Sequence, residues 1–444
     1  MAQQEPHFIL YVDVNKTVIM HDPVQGKGLH HILNDLLTER ALGRVVDDDS
    51  AQGEKQWAWN GRSVVHASPG ATTQTIRDGS SHDDDSVHDL DAQLVSYGRF
   101  LRAKYPMSED PVVAKQHKKM RKVFRQDFTQ PGNAGEGLAA EHAALLAKLR
   151  LPTAPSSVSN GHIVGQNDKL SAATFAAAGL DDAEYLFIVP SFFRFVQYLH
   201  ARGSHFNLIF RTYGDDLARI AQEFNCFCEG KHPFFPLTED QLMDGSHGGV
   251  DRRMHLQPEP AAPGAEASSS SARFGTFFRT DSCTALVLGT FEQPRGRDAS
   301  LSFYDAQADK LQIVLGLSAI HEFLTHTWQS TQSTLAIRDF YPFWFSNCED
   351  ARTGKLMTMD PEDRSVHVLF FDDNILPQEP HIVDARDVRN GNVLDFDNVT
   401  KGTHLMRVEP LNAIQNANFF IECFHASLEK RKQKQLQKEA LELM

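Results

Sequence analysis

FILYVDVNKT, residues Phe8–Thr17, is the stretch of this chain that decides its fold. Its large apolar residues run without a break into Asp13, as expected for a buried parallel strand with a carboxylate at its C-terminal tip. Ligands of open α/β sheets bind beyond the carboxyl ends of the strands, so Asp13 is placed for chemistry. An aspartate that only starts a turn would be the better account if this strand stood alone.

Two later segments repeat the pattern. FNLIFRT, residues 206–212, ends on Thr212, and VHVLFFDD, residues 366–373, ends on Asp372 and Asp373. If all three strands lie in one parallel sheet, three carboxylates and a hydroxyl meet at one edge. Carboxylates brought this close repel each other, and a hard divalent cation with oxygen ligands relieves that repulsion. The pattern therefore predicts a Mg²⁺ site.

Together with Lys355 in the segment TGKL, these stretches resemble the four motifs of the haloacid-dehalogenase-like (HAD) superfamily. The resemblance covers the core segments only. It implies an α/β fold with a doubly wound parallel sheet, a HAD-like Rossmannoid core, interrupted by a large helical cap insertion and a second, β-containing insertion. It also implies a first aspartate that attacks phosphoryl groups or organohalides.

Catalytic roles follow from the resemblance residue by residue. Asp13 matches the nucleophile, whose attack on phosphorus gives an aspartyl phosphate. Thr212 matches the hydroxyl that hydrogen-bonds the transferring phosphoryl group, and Lys355 matches the basic residue that offsets charge between nucleophile and phosphate. Lys231 and Lys310 are poorer candidates for the basic role, because they lie further from any predicted strand tip.

The implied metal ligands are Asp13, Asp372, Asp373 and the backbone carbonyl of Asn15. Asn15 is also where the chain departs from the pattern, because phosphatases of this family usually carry a second aspartate there. An amide cannot donate and recover a proton, so a general acid–base contribution of roughly 10²–10⁴ in rate is missing. Metal binding through the carbonyl does not depend on the side chain, so binding is expected to survive where turnover is poor.

The positions of the motifs, together with the resemblance, imply how the chain is organised. Core segments are expected to alternate with two insertions and to end in a charged helix. The predicted core segments are 1–19, 183–226 and 316–425, the insertions are 20–182 (mainly helical cap) and 227–315, and the C-terminal charged helix is 426–444.

Local patterns within these segments give further predictions. Thr72–Asp89 is polar and acidic and predicts a mobile loop, and Gln257–Ser271 predicts a low-complexity linker. Arg273–Glu292 predicts two strands around a polar turn, which either extend the sheet edge or form a small lid. Ile320–Ile337 predicts a helix that returns to the core, and Ile382–Asp384 predicts a strand.

Charge and hydropathy indicate which classes of binding partner to expect. The net charge is −14, from 44 basic and 58 acidic residues, which argues against nucleic-acid binding through the overall field. The N-terminal apolar run is far shorter than the roughly 20 residues that a membrane-spanning helix needs. We therefore expect a cytoplasmic protein without membrane or nucleic-acid partners. The resemblance to the HAD superfamily implies a small phosphorylated substrate.

Three functions are consistent with these residues. The first is a Mg²⁺-dependent HAD-like phosphohydrolase of low turnover. The second is a dehalogenase-type hydrolase, for which Asn15 is no handicap because a halide leaves without a proton; the Asp372–Asp373 pair argues against it, since that branch of the family uses no metal. The third is a non-catalytic binding or regulatory protein that retains the fold.

Overall fold

The computed structural model describes most of the chain. The described residues are 5–22, 26–47, 54–64, 94–151, 172–181, 183–257, 272–296, 299–327 and 331–442. The loop predicted over Thr72–Asp89 and all of the predicted linker beyond Gln257 lie outside the described residues.

The described residues form thirteen β-strands and eleven α-helices. The strands are β1 (His7–Asp13), β2 (Leu42–Asp47), β3 (Lys55–Trp59), β4 (Leu94–Ser96), β5 (Phe206–Thr212), β6 (Phe274–Arg279), β7 (Thr284–Leu288), β8 (Gln312–Leu315), β9 (Thr334–Asp339), β10 (Lys355–Met359), β11 (Val366–Asp372), β12 (Val383–Asp387) and β13 (Leu405–Arg407). The α-helices are α1 (Leu29–Arg40), α2 (Tyr97–Lys104), α3 (Pro111–Gln126), α4 (Ala139–Leu149), α5 (Ala172–Ala177), α6 (Pro190–Ala201), α7 (Leu217–Cys228), α8 (Leu317–Glu322), α9 (Tyr341–Ser346), α10 (Pro410–Gln415) and α11 (Phe419–Glu442).

The central sheet has the strand order β13-β11-β1-β5-β9-β6-β7-β8. Neighbours from β13 to β6 pair in parallel, and β6, β7 and β8 pair antiparallel at one edge. The predicted α/β class with a mostly parallel, Rossmann-like sheet is therefore confirmed. The three strands that end on polar tips are adjacent, with β1 between β11 and β5.

Aromatic side chains cover one face of this sheet. Phe210 of β5 and Phe371 of β11 make edge-on ring contacts with Phe192 and Phe195 of α6, at centroid distances of 5.7 and 5.6 Å. Phe420 of α11 contacts both helix residues, at 5.7 and 6.1 Å, and also Phe371 of the sheet, at 5.7 Å. Burial of such large rings is the main stabilising contribution to packing of this kind.

The opposite face of the sheet holds a buried ion pair. Arg211 of β5 donates to Asp339 of β9 at 2.9 Å and also to the backbone oxygen of Leu356 in β10, again at 2.9 Å. The guanidinium lies 4.6 Å from the ring centroid of Phe277. These contacts attach the small parallel sheet formed by β10 and β12 to the central sheet.

Two local predictions have clear outcomes. The hairpin predicted over Arg273–Glu292 is confirmed as β6 and β7, and it extends the sheet edge. The helix predicted over Ile320–Ile337 is wrong beyond its first turns: α8 and a π-helical turn end at Thr327, and β9 begins at Thr334. β9 is buried between two strands of the sheet, and such strands carry apolar runs that a short helix shares.

The chain divides into two compact units. One comprises residues 1–19, 151–409 and 416–444 and contains the central sheet; the other comprises residues 20–150 and 410–415. The terminal helix α11 belongs to the first unit and begins at Phe419, earlier than the predicted charged helix.

The second unit combines helices with an antiparallel sheet of order β3-β2-β4, which the sequence did not predict. Trp57 of β3 contacts Tyr97 at 5.1 Å, and Tyr97 stacks on Phe128 at 4.8 Å. Gly43 of β2 permits this packing, because a Cβ atom there would lie 2.3 Å from the Trp57 ring. Across the residues described, the helices are all too short or too polar to span a membrane.

Candidate functional site

Asp13 and Asp372 end adjacent strands on the same side of the sheet. Tyr11 and Phe370 are register partners, and their rings stack at 5.3 Å with an interplanar angle of 15°. Side chains two residues apart on a strand point to the same face. Asp13 and Asp372 each follow two residues after one of these rings, so the sheet itself brings the two carboxylates together.

Lys355 lies between the two carboxylates. It is the first residue of β10, and its ammonium donates to Asp13 Oδ1 and, at 2.9 Å, to Asp372 Oδ2. Asp13 is 5% exposed, Lys355 1% and Asp372 0%. The resemblance assigned Lys355 the basic role, and the structure brings this residue together with both aspartates. The exposed Lys310 and the exposed Lys231, which pairs with Glu229 at 2.8 Å, lie apart from the carboxylates.

The backbone on both sides of Lys355 is fixed by arginines. Arg211 donates to the carbonyl oxygen of Leu356, and Arg279 donates to that of Gly354 at 2.6 Å. Arg279 is anchored in turn by Asp384 at 2.7 Å. The ammonium is therefore held from a rigid strand end rather than from a loop, which favours a precise position between the carboxylates.

Asp373 completes the acidic cluster one residue beyond the end of β11. Its backbone N–H donates to Thr17 Oγ1 at 3.1 Å, and its Oδ1 accepts a hydrogen bond from the side chain of Asn374 at 3.0 Å. The backbone N–H of Asn374 donates to Asp372 Oδ1 at 2.9 Å. These bonds join the loop after β1 to the tip of β11.

The donor set fits a hard divalent cation. Asp13, Asp372 and Asp373 each offer an oxygen atom, and these oxygens lie within 4.8 Å of one another. If all three carboxylates are ionised, the single positive charge of Lys355 does not neutralise them, and the buried cluster keeps a net negative charge. Asp13 Oδ2 is buried and accepts no hydrogen bond within the described chain. An all-oxygen set of this kind, with an unsatisfied buried oxygen, suits Mg²⁺.

The electrostatics of the cluster are those of crowded, buried carboxylates. Burial, the neighbouring Asp372 and, less strongly, Asp373 hold the pKa of Asp13 well above its ordinary value, against the opposing effect of Lys355. Burial and Asp372 also raise the pKa of Asp373, to about 7, against the opposing charge of Lys16. Burial alone would lower the pKa of Lys355, but Asp13 and Asp372 raise it. A divalent metal ion bound by these oxygens would reverse the shifts and lower the pKa of the aspartates.

Comparison with protein-family models, with curated proteins and with solved structures finds no match. The chemistry of the site therefore rests on its own residues. They combine an unsatisfied carboxylate oxygen, an adjacent ammonium and two further carboxylates at the carboxyl ends of neighbouring strands. This arrangement can bind a metal ion and an anionic group beside the carboxylate of Asp13.

Asn15 and Thr212 form the neutral side of the site. Thr212 Oγ1 accepts a hydrogen bond from the backbone N–H of Gly214 at 2.9 Å and donates to Asn15 Oδ1 at 3.4 Å. The amide of Asn15 donates to Asp216 Oδ2 at 3.0 Å. The hydroxyl of Thr212 and the side chain of Asn15 are thus in contact, and Asn15 also contacts the buried carboxylate of Asp216.

Asp216, Thr17 and Asn374 are site residues that sequence reasoning missed. Asp216 directly precedes α7, where an aspartate is an ordinary helix-capping residue. Its only sequence signal is its place four residues after the Thr212 tip. Thr17 and Asn374 follow the motif aspartates by a few residues, and their spacing from a strand end was the available signal.

Proposed function

We propose that this chain is a HAD-like, Mg²⁺-dependent phosphohydrolase in which Asp13 is the nucleophile. The observation that carries the proposal is the contact of Lys355 with both Asp13 and Asp372 at the carboxyl edge of a parallel sheet, with Asp373 beside them. A cationic side chain between a free carboxylate oxygen and an acidic pair is what phosphoryl transfer to a carboxylate requires, because charge must be offset on both sides of phosphorus.

The reaction divides into two steps. Attack of an Asp13 oxygen on phosphorus forms an O–P bond while the bond from phosphorus to the leaving oxygen breaks. The leaving oxygen keeps the electron pair and takes a proton from water, because Asn15 has none to give. Hydroxide then attacks the phosphorus of the aspartyl phosphate, which releases hydrogen phosphate and restores Asp13.

The other residues bind and orient. Thr212 has its hydroxyl at the edge where the phosphoryl group would lie, and Lys355 would donate to a phosphoryl oxygen once that group is bound. Asp13, Asp372, Asp373 and the carbonyl of Asn15 would hold Mg²⁺. When bound, the ion would neutralise the charge of the transferring group.

A phosphatase screen with and without Mg²⁺ tests the proposal. Asp13→Asn is the blank, since it keeps the shape of the side chain and removes the nucleophilic charge. Asp305→Asn, a change at an exposed aspartate of the same unit, is the matched control. We expect Mg²⁺-dependent release of phosphate by the parent chain and by the control, and none by Asp13→Asn. Release that persists in Asp13→Asn would place the chemistry elsewhere.

A non-catalytic, phosphate-binding role is the second candidate. The observation that favours it is Asn15 itself, because an amide cannot transfer the proton that the leaving group needs, and its N–H is engaged in the hydrogen bond to Asp216. Beryllium fluoride separates the two, because it mimics a phosphoryl group on an ionised aspartate. Binding to the parent chain without any phosphate release from esters would favour the second candidate.

A further inference from the structure

An aromatic cluster adjoins the candidate site, and the proposed reaction leaves it without a role. Tyr213 directly follows Thr212, and its ring stacks on Trp344 of α9 at 5.5 Å and 12°. Tyr341 contacts Tyr213 edge-on at 5.4 Å and stacks on Phe345 at 5.6 Å and 27°. α9 itself follows β9, the strand next to β5, so these rings lie at the same carboxyl edge of the sheet as Thr212.

Tyr213 connects the aromatic cluster to the charged residues of the candidate site. The ammonium of Lys355 lies 5.4 Å from the ring centroid of Tyr213. Lys355 is the group that would donate to a bound phosphoryl oxygen, and Tyr213 is in contact with two of the α9 rings. A ligand anchored at Lys355 by a phosphate therefore has aromatic surface immediately beside it.

Packing explains only part of the cluster. Phe340 and Trp344 are buried, 6% and 7% exposed, and they hold α9 against the sheet. Tyr341 and Phe345 are 40% and 61% exposed although they stack on each other. Large exposed rings contribute little to folding, and exposed apolar surface of this size beside a polar site is typical of ligand contacts.

The backbone also fixes these rings in place. The chain leaves α9 through Cys348 and Glu349, which have φ values of 54° and 59°. Two successive non-glycine residues in the left-handed region are unfavourable and persist only where the surroundings impose them. The backbone N–H of Glu349 donates to the carbonyl of Trp344 at 3.0 Å, which closes the turn. The exposed rings therefore lie on a short helix whose C-terminal end is fixed by this turn.

We propose that Tyr213, Tyr341 and Phe345 form a stacking subsite for the organic part of the substrate, and that this substrate is a phosphate monoester joined to a planar aromatic ring. Nucleotides and aryl phosphates share this chemistry. The inference rests on the proposed function, because the phosphate has to bind beside Lys355. Stacking on such rings tolerates many planar groups, and saturated rings of the same size, which cannot stack, are expected to bind more weakly.

Paired ligands test this directly in the Asp13→Asn background, where no turnover consumes them. Calorimetric titrations in the presence of Mg²⁺ compare phenyl phosphate with cyclohexyl phosphate, and adenosine monophosphate with ribose 5-phosphate. We expect the aromatic member of at least one pair to bind about tenfold more tightly. The pair that shows the preference identifies the source of the ring. Inorganic phosphate, which lacks an organic part, measures the anion site alone.

Substitutions then locate the preference. Phe345→Leu keeps apolar surface and removes the ring, so the aromatic preference should fall severalfold while the affinity for inorganic phosphate stays unchanged. Phe303→Ala is the matched control, because Phe303 is also exposed, at 41%, but contacts none of these rings. Equal affinities within both pairs, with phosphate still bound, would overturn the stacking subsite and leave the proposed function standing. Failure of the parent chain to bind inorganic phosphate in the presence of Mg²⁺, together with failure of Asp13→Asn to bind any ester, would overturn both.

Discussion

Asn15 donates a hydrogen bond to Asp216 across 3.0 Å, and this contact changes what a carboxyl group at position 15 would do. Two carboxyl groups at that distance cannot both ionise, so they share a proton and the pKa of one rises. A raised pKa is what a general acid needs at neutral pH. The asparagine therefore occupies a place where the surroundings would support proton transfer.

Asn15→Asp is expected to raise kcat on an alkyl phosphate by up to about 10²–10⁴, because its alkoxide leaves only with a proton. The gain on p-nitrophenyl phosphate should be much smaller, since that leaving group needs little protonation. Steady-state rates on the two substrates at neutral pH measure the difference. Equal gains on both would contradict the general-acid argument.

The paired change Asn15→Asp with Asp216→Asn is the control for this effect. It keeps a hydrogen bond between the two positions but reverses its direction, so an amide now stabilises the ionised form of the new carboxyl group. We expect most of the gain at neutral pH to be lost. Asn15→Ala, which adds no carboxyl group, should show none.

Mg²⁺ should raise the melting temperature of the parent chain, because a ligand that binds only the folded state stabilises it by mass action, by about 2.7 kcal/mol at a hundred times the Kd. Asp373→Asn should remove most of the rise while keeping the oxygen that accepts from Asn374. Differential scanning calorimetry measures both. Asp305→Asn should behave like the parent chain; a parent chain indifferent to Mg²⁺ would refute the metal site.

The Mg²⁺ effect should also depend on pH. The pKa of Asp373 is raised from 3.8 to about 7, so without metal the folded chain holds a proton that the unfolded chain releases. This contribution to stability is complete below pH 3.8 and is lost as the pH rises through about 7. Mg²⁺ has to displace the proton, so its affinity should fall about tenfold for each pH unit below 7. Titrations between about pH 5 and pH 8 measure this, and a flat profile would contradict it.

Lys355→Gln should destabilise the metal-free chain by about 3–5 kcal/mol, because it leaves Asp13 and Asp372 buried without their cation. The rise in melting temperature caused by Mg²⁺ should become larger, since the ion then supplies the missing positive charge. Lys310→Gln, at an exposed lysine, should change stability by less than about 0.5 kcal/mol. Urea unfolding with and without Mg²⁺ gives both quantities.

The sequence was sufficient for the parts of the site that each strand encodes locally. The runs that end on Asp13, Thr212 and Asp372 are buried strands, and parallel pairing brings their tips to one edge whatever the rest of the chain does. Lys355 was placed from its position before the last of these strands. These are features in which hydrophobic pattern and chemistry coincide within a few residues.

The remaining features depend on distant contacts. Arg211 and Asp339 are 128 residues apart in the chain, and nothing near either residue predicts their pairing. Asp216 has the sequence signature of a helix cap, so nothing in the sequence indicated its hydrogen bond with Asn15. β9 was assigned to a helix because a buried strand and a buried helix share the same short apolar run. Tertiary pairing decided each of these cases.

Acid should weaken the fold through His404. Its Nδ1 lies 2.8 Å from the carbonyl oxygen of Val368, and its ring lies 5.0 Å from that of His367. Burial lowers the pKa of His404 from 6.5 to about 4, helped by Arg431 and Lys434 and opposed by the bond to Val368. As the pH falls, the unfolded chain therefore protonates this histidine before the folded chain does. The contribution of neutral His404 to the free energy of unfolding is complete above pH 6.5 and is lost as the pH falls to about 4. At about 1.4 kcal/mol for each pKa unit, the loss is on the order of 3 kcal/mol.

His404→Asn keeps an N–H for the carbonyl and cannot take up the proton, so its unfolding free energy should fall less over this range. Chemical denaturation at a series of pH values compares the two chains, and parallel curves would show that His404 does not carry the effect.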